Sequence, residues 1–332
     1  MKHMKFLSFF LGIAFAIIAC SSNNETIPAP EVDPDGDDGT TEVEFAKGAD
    51  IGWVTEYESK GYNFYNAKGE QRECTALMKE LGLDAIRIRV WVDPSKHGNW
   101  CNTADVVEKA KRAKELGMDV MIDFHYSDWW ADPAQQNKPA SWVGKNLVNL
   151  KSAIKDHTVS VLQALKEIGV IPKWVQVGNE IRPGMLWDED VALSGASYNV
   201  TEKDLKDAPA SATDKVVYPM NWANLGAFVT TGYDAVKSVF PDAIVIVHLD
   251  NGWDSGLFTW FFDELKKNGG KWDMIGMSLY PYWSRDAKEG YSSADAVITD
   301  CISNIKALST KYNCDVMVVE TGMECADDNG KL

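Results

Sequence analysis

From Phe45 onward the chain repeats one unit: an apolar strand, a loop, an amphipathic helix, a glycine and the next apolar strand. The helix ends show the repeat most clearly. At 79–82, 114–117, 166–169 and 267–270, lysine occupies the last turn and glycine the position where helices commonly stop. Strands that alternate with helices within one domain are parallel and are joined by right-handed crossovers. The repeat therefore predicts an α/β domain with one parallel sheet.

We predict strands at 47–53, 85–91, 120–126, 174–180, 244–250, 274–280 and 316–321, and helices at 72–81, 104–116, 152–168, 222–239, 257–267 and 294–311. A doubly wound sheet competes with a barrel, but it would normally carry a Gly-rich phosphate turn after its first strand, and the segment from Trp53 to Glu56 has none. We therefore predict a (β/α)8 TIM barrel. Seven strands are predicted and the sequence stops twelve residues after Glu320, so we expect truncation before the eighth strand, unless a loop hides one more.

Two of the predicted strands end in a glutamate, Glu180 in one and Glu320 in the other. The carboxyl ends of barrel strands converge on one face, where the loops build active sites. Two carboxyl groups that face each other across a cleft are the apparatus of glycoside hydrolysis, and a separation of about 5–5.5 Å indicates retention of anomeric configuration. Either glutamate alone could instead cap a following helix, but both together favour catalysis.

Other polar residues lie near the same strand ends. Arg87 and Arg89 are two residues apart and so share one face of a strand, which we take to be the barrel interior. A buried arginine needs an acidic partner, so these residues either hold a catalytic carboxylate or form a purely structural ion pair. His125 and His248 are further candidates, although His125 alone fits a satisfied core histidine. Asn179 and Tyr280 complete the set, as candidates to bind a sugar hydroxyl and to support Glu320.

Composition narrows the substrate. The net charge of −16 disfavours nucleic acid and anionic membrane surfaces, whose phosphates require Lys or Arg, and it disfavours a strongly acidic polymer. A neutral polysaccharide is compatible. The 13 tryptophans can stack on sugar rings, but they are equally common in protein cores.

No His-x-His or His-x₃-His spacing occurs outside the first 19 residues, so we predict no catalytic metal and no cofactor. We also expect the chain to be monomeric.

The N-terminus has the pattern of an export signal. Lys2 and Lys5 precede an apolar run at 6–18 that is too short to span a membrane, and Ala19-Cys20 follows. The run 17–20 resembles a bacterial lipobox, so we predict a signal peptide at 1–19, lipidation of Cys20 and anchoring to the outer membrane. A plain signal peptide is the alternative. Residues 20–44 are acidic and lack apolar periodicity, which predicts a disordered linker before a catalytic domain at 45–332.

Five cysteines follow Cys20, at 74, 101, 301, 314 and 325, and none forms a Cys-x-x-Cys pair. A zinc site is therefore disfavoured. Export permits disulfides, but an odd number leaves at least one thiol unpaired, and the sequence does not fix the pairing.

The segment Asp123-Phe-His-Tyr-Ser-Asp-Trp-Trp-Ala-Asp-Pro133, followed by Gln136, Pro139 and Trp142, resembles the third-strand signature of glycoside hydrolase family 53, the endo-β-1,4-galactanases. Shorter matches lie in the same order at 47–51, 86–91, 175–180, 280–283 and 316–321. The resemblance spans about 45–321. The signature block is long and specific, whereas the Asn-Glu and Glu-Thr pairs occur throughout a wider clan of retaining barrel glycosidases.

The resemblance implies a (β/α)8 barrel that cleaves β-1,4-galactan internally and retains configuration. Position by position, Glu180 matches the acid/base and Glu320 the nucleophile. Asp128, Trp130 and Trp283 lie in matching segments and are expected to bind substrate. The family also implies an eighth strand ending in an aromatic residue, and in some bacterial members a Ca²⁺ site after strand seven; the corresponding segment 324–329 matches poorly.

Two alternatives remain open at this point. One is another retaining barrel glycosidase, acting on mannan or glucan, because nothing outside the resemblance identifies galactose. The other is a non-catalytic surface lipoprotein that binds glycans. We also expect the long segment 185–220 to wall one side of the cleft through Trp187, Tyr198 and Tyr218.

Overall fold

Seven parallel strands, labelled β1 to β7, form the central sheet of a computed structural model that describes residues 45–187, 221–287 and 293–322. Their bounds are Gly48–Asp50, Ala85–Val90, Asp119–Phe124, Trp174–Val177, Ile244–Leu249, Met274–Leu279 and Asp315–Thr321. Each strand pairs in parallel with the next one along the chain. Helices separate consecutive strands, and the predicted α/β fold of the (β/α)8 barrel type is confirmed.

The described helices α1 to α8 are Val54–Ser59, Cys74–Glu80, Thr103–Glu115, Leu147–Glu167, Trp222–Val239, Ser255–Lys267, Pro281–Ala287 and Ala294–Tyr312. Short 3₁₀ helices occupy Pro94–His97 and Ala140–Trp142. Helix α5 matches its predicted bounds. Helix α4 begins five residues before the predicted start, because the Asn146 side chain accepts a hydrogen bond from the Asn149 N–H and so caps the helix there. Helices α1 and α7 were not predicted. Neither was the hairpin of Phe64–Tyr65 and Gln71–Arg72, which takes Arg72 out of the helix predicted at 72–81.

Alternation along the strands separates two apolar layers. The outward-facing residues of β2 to β6, such as Ile86, Ile88 and Val175, are fully buried in the main core beneath the helices. The inward-facing residues at the amino-terminal half of the barrel form a second apolar cluster, which consists of Ala85, Met121, Trp174, Ile246 and Met274. This cluster closes the floor of the barrel interior.

A polar layer lies directly above this floor. Two residues further along each strand, the inward positions of β2 to β5 change to Arg87, Asp123, Gln176 and His248, and all four are buried. Because side chains alternate with a period of two, the step from the apolar cluster to these residues stays on the same face of the sheet. The barrel interior therefore presents buried polar groups to its carboxyl-terminal mouth.

Several sequence predictions fall on residues outside the described ranges. They are the signal peptide, the lipidation of Cys20, the linker at 20–44, the roles of Tyr198 and Tyr218, and the acidic segment at 324–329, and they stay predictions. Within the described ranges, no helix has the length and apolar character needed to cross a membrane. Cys74, Cys101, Cys301 and Cys314 are free thiols.

Candidate active site

Glu180 lies in a turn and not at the end of a strand, which corrects the predicted strand at 174–180. Strand β4 stops at Val177, and Gly178 adopts φ +82°. A Cβ at this glycine would lie 2.5 Å from Ile181 Cγ2, so only glycine fits. Glu180 itself has φ +47°, a conformation that non-glycine residues adopt rarely and that is typical of functional sites. The turn directs the carboxyl group into the mouth of the barrel.

The loop after β3 holds this turn in place. The Gln136 side chain donates to the backbone carbonyls of Asn179 at 2.7 Å and Glu180 at 3.3 Å. The Asn179 side chain donates in return to the Ala131 carbonyl at 2.7 Å. On the other side, the Ile181 N–H donates to the His248 carbonyl at 3.1 Å. The segment between Asp123 and Gln136, which is so distinctive in the sequence, therefore fixes the position of Glu180.

Glu320 lies in β7 between two donors. Arg87 Nη2 is 2.8 Å from Glu320 Oε1, and the Tyr280 hydroxyl donates to Oε2 at 3.0 Å. A register shift between β6 and β7 places Ser278 opposite Glu320, and such bulges are common beside active sites. Each of the two carboxylate oxygens is thus bound by a hydrogen-bond donor, and one of these donors is the Arg87 guanidinium. The predicted support of Glu320 by an arginine and Tyr280 is confirmed, and the arginine is Arg87.

Glu180 has a different environment. Burial raises the pKa of its carboxyl group well above the usual range, and the negative charges of Glu320 and Asp250 raise it further. One hydrogen bond opposes them, from the Ser278 hydroxyl to Glu180 Oε1 at 2.6 Å. A carboxyl group in these surroundings holds its proton at a pH where an ordinary glutamate has lost it. The two glutamates are therefore suited to opposite roles.

Arg87 joins four strand ends through one side chain. Nη1 donates to Asp50 Oδ2 at 2.9 Å, and Nη2 lies 2.9 Å from Asp123 Oδ2, in addition to its contact with Glu320. Nη2 also lies within 3.2 Å of the side-chain oxygens of Gln176 and Asn179. Burial alone would lower the pKa of Arg87, but the charges of Asp123, Glu320 and Asp50 raise it, so the guanidinium stays charged. This arginine is a structural hub as well as the partner of Glu320.

A cavity of about 1230 Å³ opens at the carboxyl-terminal face of the barrel. Six residues predicted from the sequence line it: Trp130, Asn179, Glu180, Tyr280, Trp283 and Glu320. Trp130 and Trp283 are 40% and 62% exposed, so their indole surface is available to a ligand. The cavity is also lined by Arg182, Asp250, Asn251, Trp253 and Asp254. The prediction that the two carboxyl groups share one cleft with tryptophans is confirmed.

None of the other four residues predicted to bind substrate lines the described cavity, which corrects their predicted role: Arg89, His125 and His248 are buried, and Asp128 is half-buried. Arg89 is buried, with its guanidinium 4.1 Å from the centre of the Trp130 ring. His125 Nε2 lies 2.9 Å from Asp123 Oδ2, and its Nδ1 accepts the Ala131 N–H at 3.0 Å, so it is a satisfied core histidine. His248 is fully buried. Asp128 accepts the backbone N–H groups of Asp93 and Ala140, and so connects two loops.

The prediction that Trp187 walls the cleft is wrong. Its side chain is fully buried, and its Nε1 donates to the Pro183 carbonyl at 3.2 Å. Its backbone N–H and carbonyl pair with Gln136 and Lys138, which fastens the loop after β4 to the loop after β3. A tryptophan in a long loop is compatible either with a cleft wall or with core packing, and here its side chain is buried.

Besides the five cavity-lining residues between 182 and 254, the sequence analysis missed four residues in contact with the catalytic groups or with Arg87: Asp50, Asp123, Gln176 and Ser278. Each faces the barrel interior near the carboxyl end of its observed strand, and Ser278 lies two residues before Tyr280 on the same face. Period-two alternation counted back from His125, Glu180 and Tyr280 would have found Asp123, Gln176 and Ser278. As for metals, no cluster of three or more His, Cys, Asp or Glu side chains suited to a metal ion occurs within the described ranges.

The fold and the site together define a glycoside hydrolase of the α/β-barrel type. The model of glycosyl hydrolase family 53 matches residues 46–332, and the chain belongs to this family. It is 32% identical over 281 residues to an arabinogalactan endo-β-1,4-galactanase of Thermothelomyces thermophilus, a match that covers 83% of this chain and 73% of the relative. The family resemblance read from the sequence is confirmed.

Solved structures of related enzymes have the same fold as this chain. A structure from a study of two fungal β-1,4-galactanases superposes with a TM-score of 0.67 at 31% identity, over 83% of this chain and 73% of that one. The family 53 catalytic domain of Ignisphaera aggregans gives the same TM-score at 29% identity, over 87% and 72% of the two chains. The barrel described above is therefore the fold of the family.

Proposed function

We propose that this chain is an endo-β-1,4-galactanase that hydrolyses galactan with retention of configuration, through Glu180 as acid/base and Glu320 as nucleophile. The observation that carries the proposal is the contrast between the two carboxyl groups within one cavity. Arg87 and Tyr280 bind the Glu320 carboxylate, whereas burial and neighbouring negative charge keep Glu180 protonated. Pairs of carboxyl groups in contrasting environments divide the acid and nucleophile roles in this way.

In the first step, the Glu320 carboxylate attacks the anomeric carbon and the bond from that carbon to the leaving sugar oxygen breaks. Glu180 gives its proton to this oxygen, so the leaving sugar departs as a neutral alcohol. The product is a glycosyl ester of Glu320, and Glu180 is now a carboxylate.

The second step reverses the roles. Esterification removes the negative charge of Glu320, which is one of the causes that raise the pKa of Glu180. With that cause gone, Glu180 remains ionised more readily and takes a proton from water as the water oxygen attacks the anomeric carbon. The ester bond breaks, the Glu320 carboxylate returns, and Glu180 is protonated for the next cycle. In these two steps, the nucleophiles and the groups that give or take protons belong to the chain, to water or to the leaving sugar.

The assignment of galactan rests on the relatives. The aligned enzyme of T. thermophilus and the superposed fungal enzymes are named as β-1,4-galactanases, and the chain aligns with them over more than four fifths of its length. The site is consistent with a neutral polysaccharide, because exposed tryptophans flank the two carboxyl groups. Both carboxyl groups are present, Glu320 with its two donors and Glu180 in its buried surroundings, and this disfavours a purely glycan-binding role.

The direct test is hydrolysis of linear β-1,4-galactan, with β-1,4-mannan and β-1,4-glucan as matched substrates. We expect reducing ends to form from galactan, and proton NMR of the first products to show the β-anomer before mutarotation. Cleavage of mannan or glucan in preference would assign another substrate. Initial release of the α-anomer would contradict retention, and binding of galactan without cleavage would contradict the enzymatic role.

The exposed indole of Trp130 offers a separate test. Its ring lies on the Arg89 guanidinium and faces the cavity, so we expect it to stack on a sugar ring. Trp130→Ala is expected to raise KM for galactan by about three- to tenfold, with a smaller change in kcat, since a stacked aromatic contact contributes about 0.5–1.5 kcal/mol.

The adjacent Trp129 supplies the matched control. Its exposed fraction is 38%, against 40% for Trp130, but it stacks on His97 at 3.7 Å and is absent from the residues that line the described cavity. Trp129→Ala is therefore expected to leave KM within about twofold of the parent. Equal changes of KM in the two variants would refute the stacking role of Trp130.

A further inference from the structure

A buried chain of hydrogen-bonding groups ends on Glu180. Gln176 Nε2 lies 3.1 Å from His248 Nδ1, His248 Nε2 lies 2.8 Å from Ser278 Oγ, and Ser278 Oγ lies 2.6 Å from Glu180 Oε1. Gln176 and His248 are fully buried, and Ser278 is 2% exposed. None of these three residues takes part in the reaction steps given above. They connect the polar layer of the barrel to one oxygen of the acid.

The directions of these hydrogen bonds follow from the groups that can only donate. Arg87 Nη2 has no acceptor, so the atoms of Gln176 and Asn179 that face it are their side-chain oxygens. Gln176 therefore presents its NH₂ group on the other side. Asp123 Oδ1 at 2.6 Å takes one of its two hydrogens, and His248 Nδ1, Asn179 Oδ1 and the Gly178 carbonyl compete for the other. Burial, and next the positive charge of Arg87, lower the pKa of His248 well below its usual range, so the ring is neutral and carries one hydrogen, either on Nδ1 or on Nε2.

Asn179 Oδ1 lies 3.0 Å from His248 Nδ1 and could accept a hydrogen from that atom. The contacts of Ser278 distinguish the two positions of the ring hydrogen. An ionised Glu180 Oε1 can only accept, so the Ser278 hydroxyl donates to it, and Ser278 Oγ then has only lone pairs to offer to His248 Nε2 at 2.8 Å. The geometry therefore favours the hydrogen on Nε2, donated to Ser278 Oγ.

We propose that Ser278, oriented by His248, acts as a positioning residue that determines which oxygen of Glu180 carries the catalytic proton; this inference rests on the proposed function. Since Ser278 Oγ accepts from His248, its own hydrogen is directed at Glu180 Oε1. The proton of the acid is then on Oε2, the oxygen left for the leaving group. The same bond stabilises the Glu180 carboxylate between the two steps, and so limits how strongly the acid holds its proton.

The kinetic test is Ser278→Ala. Loss of the donor destabilises the Glu180 carboxylate, so the alkaline limb of kcat/KM, which reports the acid in the free enzyme, is expected to move to higher pH. The other groups that act on this carboxyl, Glu320, Asp250 and Asp132, stay in place. We expect kcat on galactan to fall about tenfold or more, because the lost hydrogen bond stabilises the Glu180 carboxylate that forms as the proton leaves. KM is expected to stay nearly unchanged, because Glu180 is still protonated when the substrate binds. Cleavage of an aryl galactoside with a good leaving group is expected to change less than about threefold, because it needs little protonation.

Thr158→Val is the matched control. Thr158 lies on helix α4, away from the cavity, and its buried hydroxyl is 2.8 Å from the Tyr126 hydroxyl. The substitution therefore removes another buried hydroxyl. This variant is expected to keep the parent pH profile and the parent dependence on leaving group. An alkaline limb that stays in place in Ser278→Ala, or an equal loss on galactan and on the aryl galactoside, would overturn the proposal.

A measurement on the unaltered protein is independent of any loss of stability in the variants. With ¹⁵N-labelled histidine, and with His248 assigned by comparison with His248→Gln, we expect the signals of a neutral ring protonated on Nε2 across the active pH range. A ring protonated on Nδ1 would refute the inference. Failure of the parent enzyme to cleave galactan would refute the proposed function instead, and would leave the tautomer measurement unaffected.

Discussion

Replacing Glu320 with alanine is expected to abolish hydrolysis of galactan and of activated aryl galactosides alike. The carboxylate is the group proposed to bond to the anomeric carbon, and removal of a covalent nucleophile lowers kcat by on the order of 10⁵-fold. A good leaving group does not compensate, because it assists departure and not attack. Steady-state rates on both substrates measure the effect.

The fold is expected to tolerate this change. Arg87 loses one partner but keeps the carboxylates of Asp50 and Asp123, so no uncompensated charge is left in the barrel. Glu264→Ala, which removes a half-buried carboxylate paired with Lys267 on helix α6 and absent from the cavity lining, is the control and should keep full activity. Retention of more than about one hundredth of the parent rate in Glu320→Ala would show that another group is the nucleophile.

The sequence was sufficient for the parts of the site that depend on strand periodicity. A repeated unit of strand, helix and glycine specified a parallel barrel, and polar residues at its strand ends had to converge on one face. That argument brought Glu180, Glu320 and Tyr280 into one cavity, where the structure has them. It needed no knowledge of any loop.

Local backbone geometry could not be predicted from strand periodicity. The alternating Val175 and Val177 led the predicted strand past Gly178 and Asn179, although both are turn-forming residue types. The close approach of Gly178 to Ile181, on which the turn depends, is visible only in the folded chain. The register shift between β6 and β7 is also a tertiary feature, because it concerns how two strands pair. Both features determine where a catalytic carboxyl points.

Direct binding of substrate was predicted for several residues that the structure buries beneath the cavity surface. The sequence indicated that Arg89, His125 and His248 face the barrel interior, which is correct, but not how deep each lies. Depth depends on which neighbours cover a residue, and Trp130 covers Arg89. Residues one layer below the surface can act on the substrate only through others, as Arg87 does through Glu320.

The second large effect concerns Glu180. Glu180→Ala is expected to lower kcat on galactan by about 10²- to 10⁴-fold, the usual contribution of a positioned acid or base. An aryl galactoside with a good leaving group is expected to form the glycosyl ester of Glu320 at nearly the parent rate. Without a base, the ester then reacts slowly with water, so a burst of the aryl alcohol should precede a slow steady state. Rapid-mixing kinetics would show the burst.

Azide distinguishes the two glutamates. It is an anion that needs no base, so it should attack the accumulated ester in Glu180→Ala, restore turnover of the aryl substrate and give a galactosyl azide of retained β-configuration. In Glu320→Ala no ester forms, and any azide product would have inverted configuration. The alkaline limb that Glu180 gives to the parent profile should also vanish in Glu180→Ala, because the carboxyl group whose pKa burial, Glu320 and Asp250 raise is no longer present. If both variants respond alike to leaving group and azide, the division of roles between the two carboxyl groups is wrong, even though the cavity contains both.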